Sequence, residues 1–161
     1  MVRTINADYV RMASGGDEKA DVRCDTCHRG RTEPPRPLAD ILAETTAAQG
    51  ADAAIAKYKE MRAESLEAGL YDFRDRTLVA AARRLQDQSA EQSLALLKAS
   101  VSLFPNSPDV AAALGMSLLQ GGDRDGAKAQ FDRALQIDPK NGMAQQGLRR
   151  LQGGPAGPPP R

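Results

Sequence analysis

Pro105 and Pro139 each close a stretch in which Ala, Leu and Ile recur at three- and four-residue spacing. That spacing places apolar side chains on one face of an α-helix. Proline ends such a stretch because it lacks the N–H of a helical turn and crowds the turn before it. The interval from one proline to the next defines a period of about 34 residues, which constrains the fold more than any other feature of the chain. A pair of helices of this length cannot bury its apolar face alone, so it must stack on copies of itself, with about three units needed for stability. The chain is therefore expected to be all-α and to build its core between neighbouring helical hairpins.

The helical pattern runs from Leu38 to Leu151 and is interrupted at Gly50, Gly69, Gln88, Pro105, Gly121-Gly122 and Pro139. Those breaks predict seven helices of about 12–18 residues. Residues 108–141 resemble the tetratricopeptide repeat family in Leu114-Gly115, Leu118, Gly122-Asp123, Ala127, Phe131, Ala134 and Pro139. The small residues Gly115, Ala127 and Ala134 let two helices approach, while Leu114, Leu118 and Phe131 fill the space between units. Residues 74–107 form a degenerate unit. It keeps Ala81, Leu97, Leu103 and Pro105 but has Arg84 and Ser93 where apolar or small residues are usual. A more divergent unit covers 38–70, where Ala54-Ile55 and Tyr58 echo the second-helix pattern, and Gly142 to Leu151 is expected to cap the array. The tail 152–161, rich in Gly and Pro, cannot bury apolar surface and is expected to be disordered.

Residues 1–33 follow a different pattern. A short helix is expected from about Val2 to Met12, then a polar loop Ser14-Gly15-Gly16-Asp17-Glu18, then Cys24-Asp25-Thr26-Cys27-His28. Pro34, Pro35 and Pro37 each disfavour helix in the residue before them, so residues 34–37 read as a linker. Two cysteines two residues apart, followed at once by histidine, form the attachment signature of c-type haem. Both thiols would add across the two vinyl groups of one porphyrin, and the turn between them would bring His28 beneath the ring as proximal iron ligand. A four-ligand zinc site is the main rival, but the chain has 2 cysteines and 1 histidine. A thioredoxin-like dithiol would sit in a strand-helix-strand context, and no strand pattern surrounds the motif.

The residue on the far side of the iron follows in part by elimination. His28 is the only histidine, so a second imidazole cannot come from this chain. Of the 5 methionines, Met116 and Met143 lie inside the repeats, where Met serves as core or groove filler, and Met61 lies on a second helix of the array. Met1 and Met12 remain, beside water or a ligand from a partner chain. A thioether ligand would raise the reduction potential relative to two imidazoles. Arg29 and Arg31 are candidates for pairing with haem propionates, because a guanidinium matches a carboxylate bidentately, although a solvated loop accounts for them as well. Tyr9 is expected to pack a ring face on the haem edge, and Asn6 to bond a local carbonyl.

Met1-Val2-Arg3-Thr4-Ile5-Asn6 and Val22-Arg23-Cys24-Asp25-Thr26-Cys27-His28-Arg29-Gly30 together resemble a haem-binding segment of the photosynthetic reaction centre cytochrome c subunit family, a likeness that covers residues 1–35. In that family the methionine before Arg-x-Ile-Asn is the axial ligand, which implies Met1 as the distal ligand here. Its members carry several such motifs and donate electrons to a photo-oxidised pigment pair, whereas this chain has one. The resemblance thus implies one covalent haem c and one-electron transfer more than it implies photosynthesis.

A formal charge of +1, with Lys and Arg mixed among Asp and Glu, shows no nucleic-acid footprint and no polybasic membrane patch. No apolar run is long enough for a transmembrane segment, and Met1 to Asn6 has no apolar signal core. Covalent haem attachment in bacteria is completed outside the cytoplasmic membrane. An export signal is therefore expected to precede this sequence, with a periplasmic location or one on the outer face of that membrane. The expected partner is a redox protein or a membrane electron-transfer complex, docked by the groove of the repeats. No hydrolytic or transfer site is visible, since the one histidine already belongs to the CxxCH motif, so an electron carrier is expected rather than an enzyme. The alternative is a repeat adaptor whose CxxC is a thiol switch or vestigial.

Overall fold

The computed structural model describes residues 36–66 and 69–153. Among them are seven helices and no strand: α1 (Leu38–Gln49), α2 (Ala51–Ser65), α3 (Asp75–Gln86), α4 (Ala90–Leu103), α5 (Pro108–Gln120), α6 (Arg124–Ile137) and α7 (Gly142–Leu151). The all-α class and every expected break are present. Six of the helices, 12 to 15 residues long, fall within the expected lengths, and α7, at 10 residues, is shorter. Capping side chains mark where four of the helices begin. Ser89, Ser107, Asp123 and Asn141 stand just outside the helix, and each side chain accepts a backbone N–H of the first turn. A single residue, Gly50, separates α1 from α2, and its φ of 91° lies where a side chain would strain the backbone.

The helices pack as hairpins, α1 on α2, α3 on α4 and α5 on α6. α1, α3, α5 and α7 follow one another in one layer, each against the next, while α2 packs on α4 and α6 lies against α5 and α7. One core joins the first two hairpins to α5 through fully buried Leu42, Tyr58, Leu78, Leu85 and Leu96, together with Val110. A second gathers Ala112, Ala127, Ala134 and Ala144 around Phe131. Each such Leu contributes roughly 1.5–3 kcal/mol relative to exposure, so the stack rests on faces that only a neighbouring unit can cover.

The residues that make the second unit look degenerate are accommodated. Ser93 and Ser100 occupy the places that Ala127 and Ala134 hold one period later, and both are fully buried. A buried hydroxyl without a partner would cost about 1–3 kcal/mol. Ser93 Oγ instead donates to Gln86 Oε1 at 3.0 Å, and Ser100 Oγ to the Leu96 carbonyl at 2.7 Å. Arg84 reaches back to Asp40 on α1 as an ion pair, and Gln92 Nε2 donates to the Ala47 carbonyl at 3.3 Å. The unit has exchanged apolar contacts for polar ties to its neighbour.

Phe131 is the tightest point of the array. Its ring is fully buried, and a Cβ built on Gly115 would lie 2.6 Å from Cε1, while one on Gly147 would press still closer on Cζ. Two glycines on α5 and α7 thus form a slot that the ring fills. The close approach at Gly115 follows from its place in the motif. The one at Gly147 is a finding of the structure, because that residue lies in the capping helix, outside the motif.

The first unit is out of phase with the others. Tyr58, Leu97 and Phe131 hold equivalent places, but the interval from Tyr58 to Leu97 is longer than the one from Leu97 to Phe131. The extra residues fall in the connection between α2 and α3, part of which folds onto the core. The Tyr58 hydroxyl donates to the Phe73 carbonyl, and its ring meets Phe73 edge-on at 5.7 Å and Phe104 at 6.1 Å. Tyr71 packs edge-on against Phe73 at 6.1 Å. Asp72 anchors the connection, accepting Arg74 Nε at 2.7 Å and Nη2 at 2.6 Å, while its carbonyl accepts from Thr77 Oγ1 at 2.7 Å. The bond from the Arg74 guanidinium holds the Asp72 carboxyl down at about 2.

Gly147→Ala is expected to destabilise the array. Alanine favours a helix interior by about 1 kcal/mol over glycine, but overpacking a closed site costs roughly 1–3 kcal/mol, and Gly115 on the other side prevents the ring from retreating. Gly121→Ala, whose Cβ would meet nothing closer than 3.5 Å, is the control and should be neutral or mildly stabilising in urea titrations. Asp72 has a folded pKa depressed below its unfolded value. Its contribution is therefore complete above about pH 4 and is lost as the pH falls from there towards 2. The pair is exposed and screened by solvent, so the effect is expected to be small, and Asp72→Asn should flatten thermal stability over that window.

Candidate functional site

The layer formed by α1, α3, α5 and α7 is held by polar ties between consecutive helix starts. Ser107, the N-cap of α5, donates to Asp75 Oδ2 at the start of α3. Asn141, the N-cap of α7, repeats the tie one unit later, with Nδ2 donating to Asp109 Oδ1 at 2.9 Å. Asp75 and Asp109 are one period apart, as are Ser107 and Asn141, so the tie is itself part of the repeat. Each cap uses its side-chain oxygen for its own helix as well: Val110 N donates to Ser107 Oγ at 3.1 Å, and Ala144 N to Asn141 Oδ1 at 3.0 Å. One side chain thus closes a helix end and fixes where that end sits against the neighbouring helix.

Between α3, α5 and α7 lies a cavity of about 220 Å³. Its apolar wall is Val79 and Ala82 from α3, Ala113 and Met116 from α5, and Met143 from α7, with Leu97 of α4 beyond them. Arg83, Gln86, Gln120 and Gln146 supply its polar rim. Met116 and Met143, expected as core or groove filler, line this cavity, and Met61 is buried in the first core instead. Sequence reasoning missed the glutamines, although Gln86 and Gln120, one period apart, occupy the same place in their units. Apolar and small residues carry the periodicity of a helical repeat, whereas a surface amide carries no packing signal.

The residues expected to hold haem, Cys24, Cys27 and His28, lie outside the described residues, as do Arg29 and Arg31 and the two distal-ligand candidates Met1 and Met12. Tyr9 and Asn6 lie there too. Among the described residues there is no cluster of three or more His, Cys, Asp or Glu side chains that would hold a metal ion, and no helix long and apolar enough to cross a membrane.

Compared with known families, residues 84–151 match the tetratricopeptide repeat, a stretch that runs from the last turn of α3 through α7. No cytochrome c or reaction-centre family matches. No curated protein matches the chain either. The repeats indicate a protein-interaction role, since stacked units of this kind present an extended surface to a partner.

Asn141→Ala removes both the α7 cap and the tie to Asp109. A lost cap costs about 0.5–2 kcal/mol, while the exposed Asp109 carboxylate would turn to water instead. The substitution is expected to lower stability by about 1–2 kcal/mol in denaturant titration and to raise amide exchange most strongly in α7.

Proposed function

We propose that this chain is a monohaem c-type cytochrome that transfers single electrons, and that its tetratricopeptide repeats dock the redox partner. One observation carries the reading: Cys24-Asp25-Thr26-Cys27-His28 contains both cysteines and the only histidine of the chain, the complete donor set for one covalent haem and too few ligands for a structural zinc site. The resemblance of residues 1–35 to a reaction centre cytochrome segment supports it. Cys24 and Cys27 would hold the group by thioether bonds, His28 would ligate the iron from one side, and Met1, with Met12 as the alternative, from the other. Arg29 and Arg31 would pair with the propionates. Bound there, the group supplies a reversible one-electron couple, and the chain's part is to fix it, tune its potential through the axial ligand and bring a partner close. Such a protein would work in the periplasm or on the outer face of the cytoplasmic membrane, where covalent attachment is completed.

The match to an interaction repeat also favours a second reading, an adaptor in which Cys24 and Cys27 act as a thiol pair. Expression of the chain behind an export signal, in cells carrying the haem-ligation machinery, separates the two. Absorbance and mass that stay with the polypeptide after denaturation in acidified solvent are the expected result. Colourless protein with two titratable thiols would overturn the cytochrome and leave the adaptor. In the haem-loaded protein, loss of the thioether-to-iron absorption band on replacement of Met1 or Met12, translation start preserved, identifies the distal ligand.

A further inference from the structure

The cavity between α3, α5 and α7 has a size and a polarity that specify its occupant more narrowly than a general docking surface would. Pockets that take drug-sized ligands run to roughly 300–1,000 Å³, and a void of about 150 Å³ already admits benzene. At about 220 Å³ this cavity suits one large side chain, and it is too small for an extended small molecule. Its wall of Val79, Ala113, Met116 and Met143 is apolar, and the two thioethers can adapt to an aliphatic or aromatic group.

The polar edge on the α3 side is made of donors. Gln86 Oε1 already accepts from the fully buried Ser93 hydroxyl at 3.0 Å, which leaves the amide's NH2 as the end without a partner among the described residues. Arg83, beside it on α3, is exposed, has no ion pair or hydrogen bond among the described residues, and is the one charged residue lining the cavity. No carboxylate lines it. Arg83 also stands in the last turn of α3, where a cation complements the helix dipole; that accounts for a positive charge on the helix and not for its place beside Gln86 on the rim of an apolar cavity that no carboxylate lines.

We propose that the cavity receives an extended segment of a partner protein that inserts one Leu, Met or Phe side chain between Met116 and Met143 and places an Asp or Glu, within two residues of that anchor, against Arg83 and Gln86. This rests on the reading that the repeats dock a partner, and it names the chemistry of the docked segment.

The test uses the full chain, with methionine methyl groups labelled with carbon-13, and a display library of random octapeptides. Selected peptides, made synthetically, are titrated while the Met116 and Met143 methyl resonances are followed. The expected consensus is one large apolar residue with an acidic neighbour, binding shifts both methyls, and Arg83→Glu weakens binding at least tenfold. A peptide whose acid is exchanged for Arg should recover that loss on the Arg83→Glu chain, a gain that a misfolded variant could not give. Peptides that shift both methyls but show no acidic preference and ignore Arg83→Glu would overturn the proposal and leave the groove as a docking surface. Peptides that shift neither methyl would overturn the proposal and groove docking together, and so would a library from which nothing is enriched.

Discussion

Each hairpin of the described array has an apolar face that its two helices cover only in part, and the remainder is closed by the next hairpin or by α7. Phe131 shows the constraint in its tightest form. The ring belongs to α6, but one side of its slot is Gly115 of α5 and the other is Gly147 of α7, so the helix that follows the repeat completes the burial. Leu78, Leu85 and Leu96 are likewise buried where the first two hairpins meet α5. Remove the neighbour and these faces return to water. The array is therefore a chain of nearest-neighbour interfaces, and its stability is close to the sum of them.

Polar ties set the angles at which those interfaces close. The Ser107–Asp75 and Asn141–Asp109 bonds join the starts of consecutive first helices, and Arg84–Asp40 does comparable work nearer the front of the array. Because the cavity lies among α3, α5 and α7, the two N-cap bonds that space these three helices also set its width. Surface and scaffold are here the same set of helices, and a substitution at a cap will be felt in the groove.

Much of the fold was legible in the sequence, because helix breaks and the repeat period depend on Gly, Pro and small residues whose effects are local. Pro105, Pro139 and Gly50 mark their breaks whatever surrounds them. Gly115 was readable from its place in the motif. Gly147 was not, since its need for smallness comes from a ring on another helix. Ser93 looked like a departure because sequence shows size and polarity but not that the Gln86 amide oxygen stands ready to accept a hydrogen bond from its hydroxyl. The cavity was the least legible part. Its glutamines and Arg83 contribute nothing to periodicity, and only the packing of three helices from separate units brings them together. The haem motif is the reverse case, fully legible as a spacing and carried by residues that precede the described array.

The aromatic cluster also decides what the tyrosine signal can report about the described array. The chain has no tryptophan and 3 tyrosines, and the two within the described array, Tyr58 and Tyr71, both belong to the group around Phe73 and Phe104, where the first unit meets the second. Burial pushes the Tyr58 phenol up, so it keeps its proton and its bond to the Phe73 carbonyl well into alkaline solution. Tyr9 aside, near-ultraviolet dichroism and intrinsic emission therefore see one end of the array. The last hairpin and its cap, built around Phe131, can come apart almost unseen by those probes.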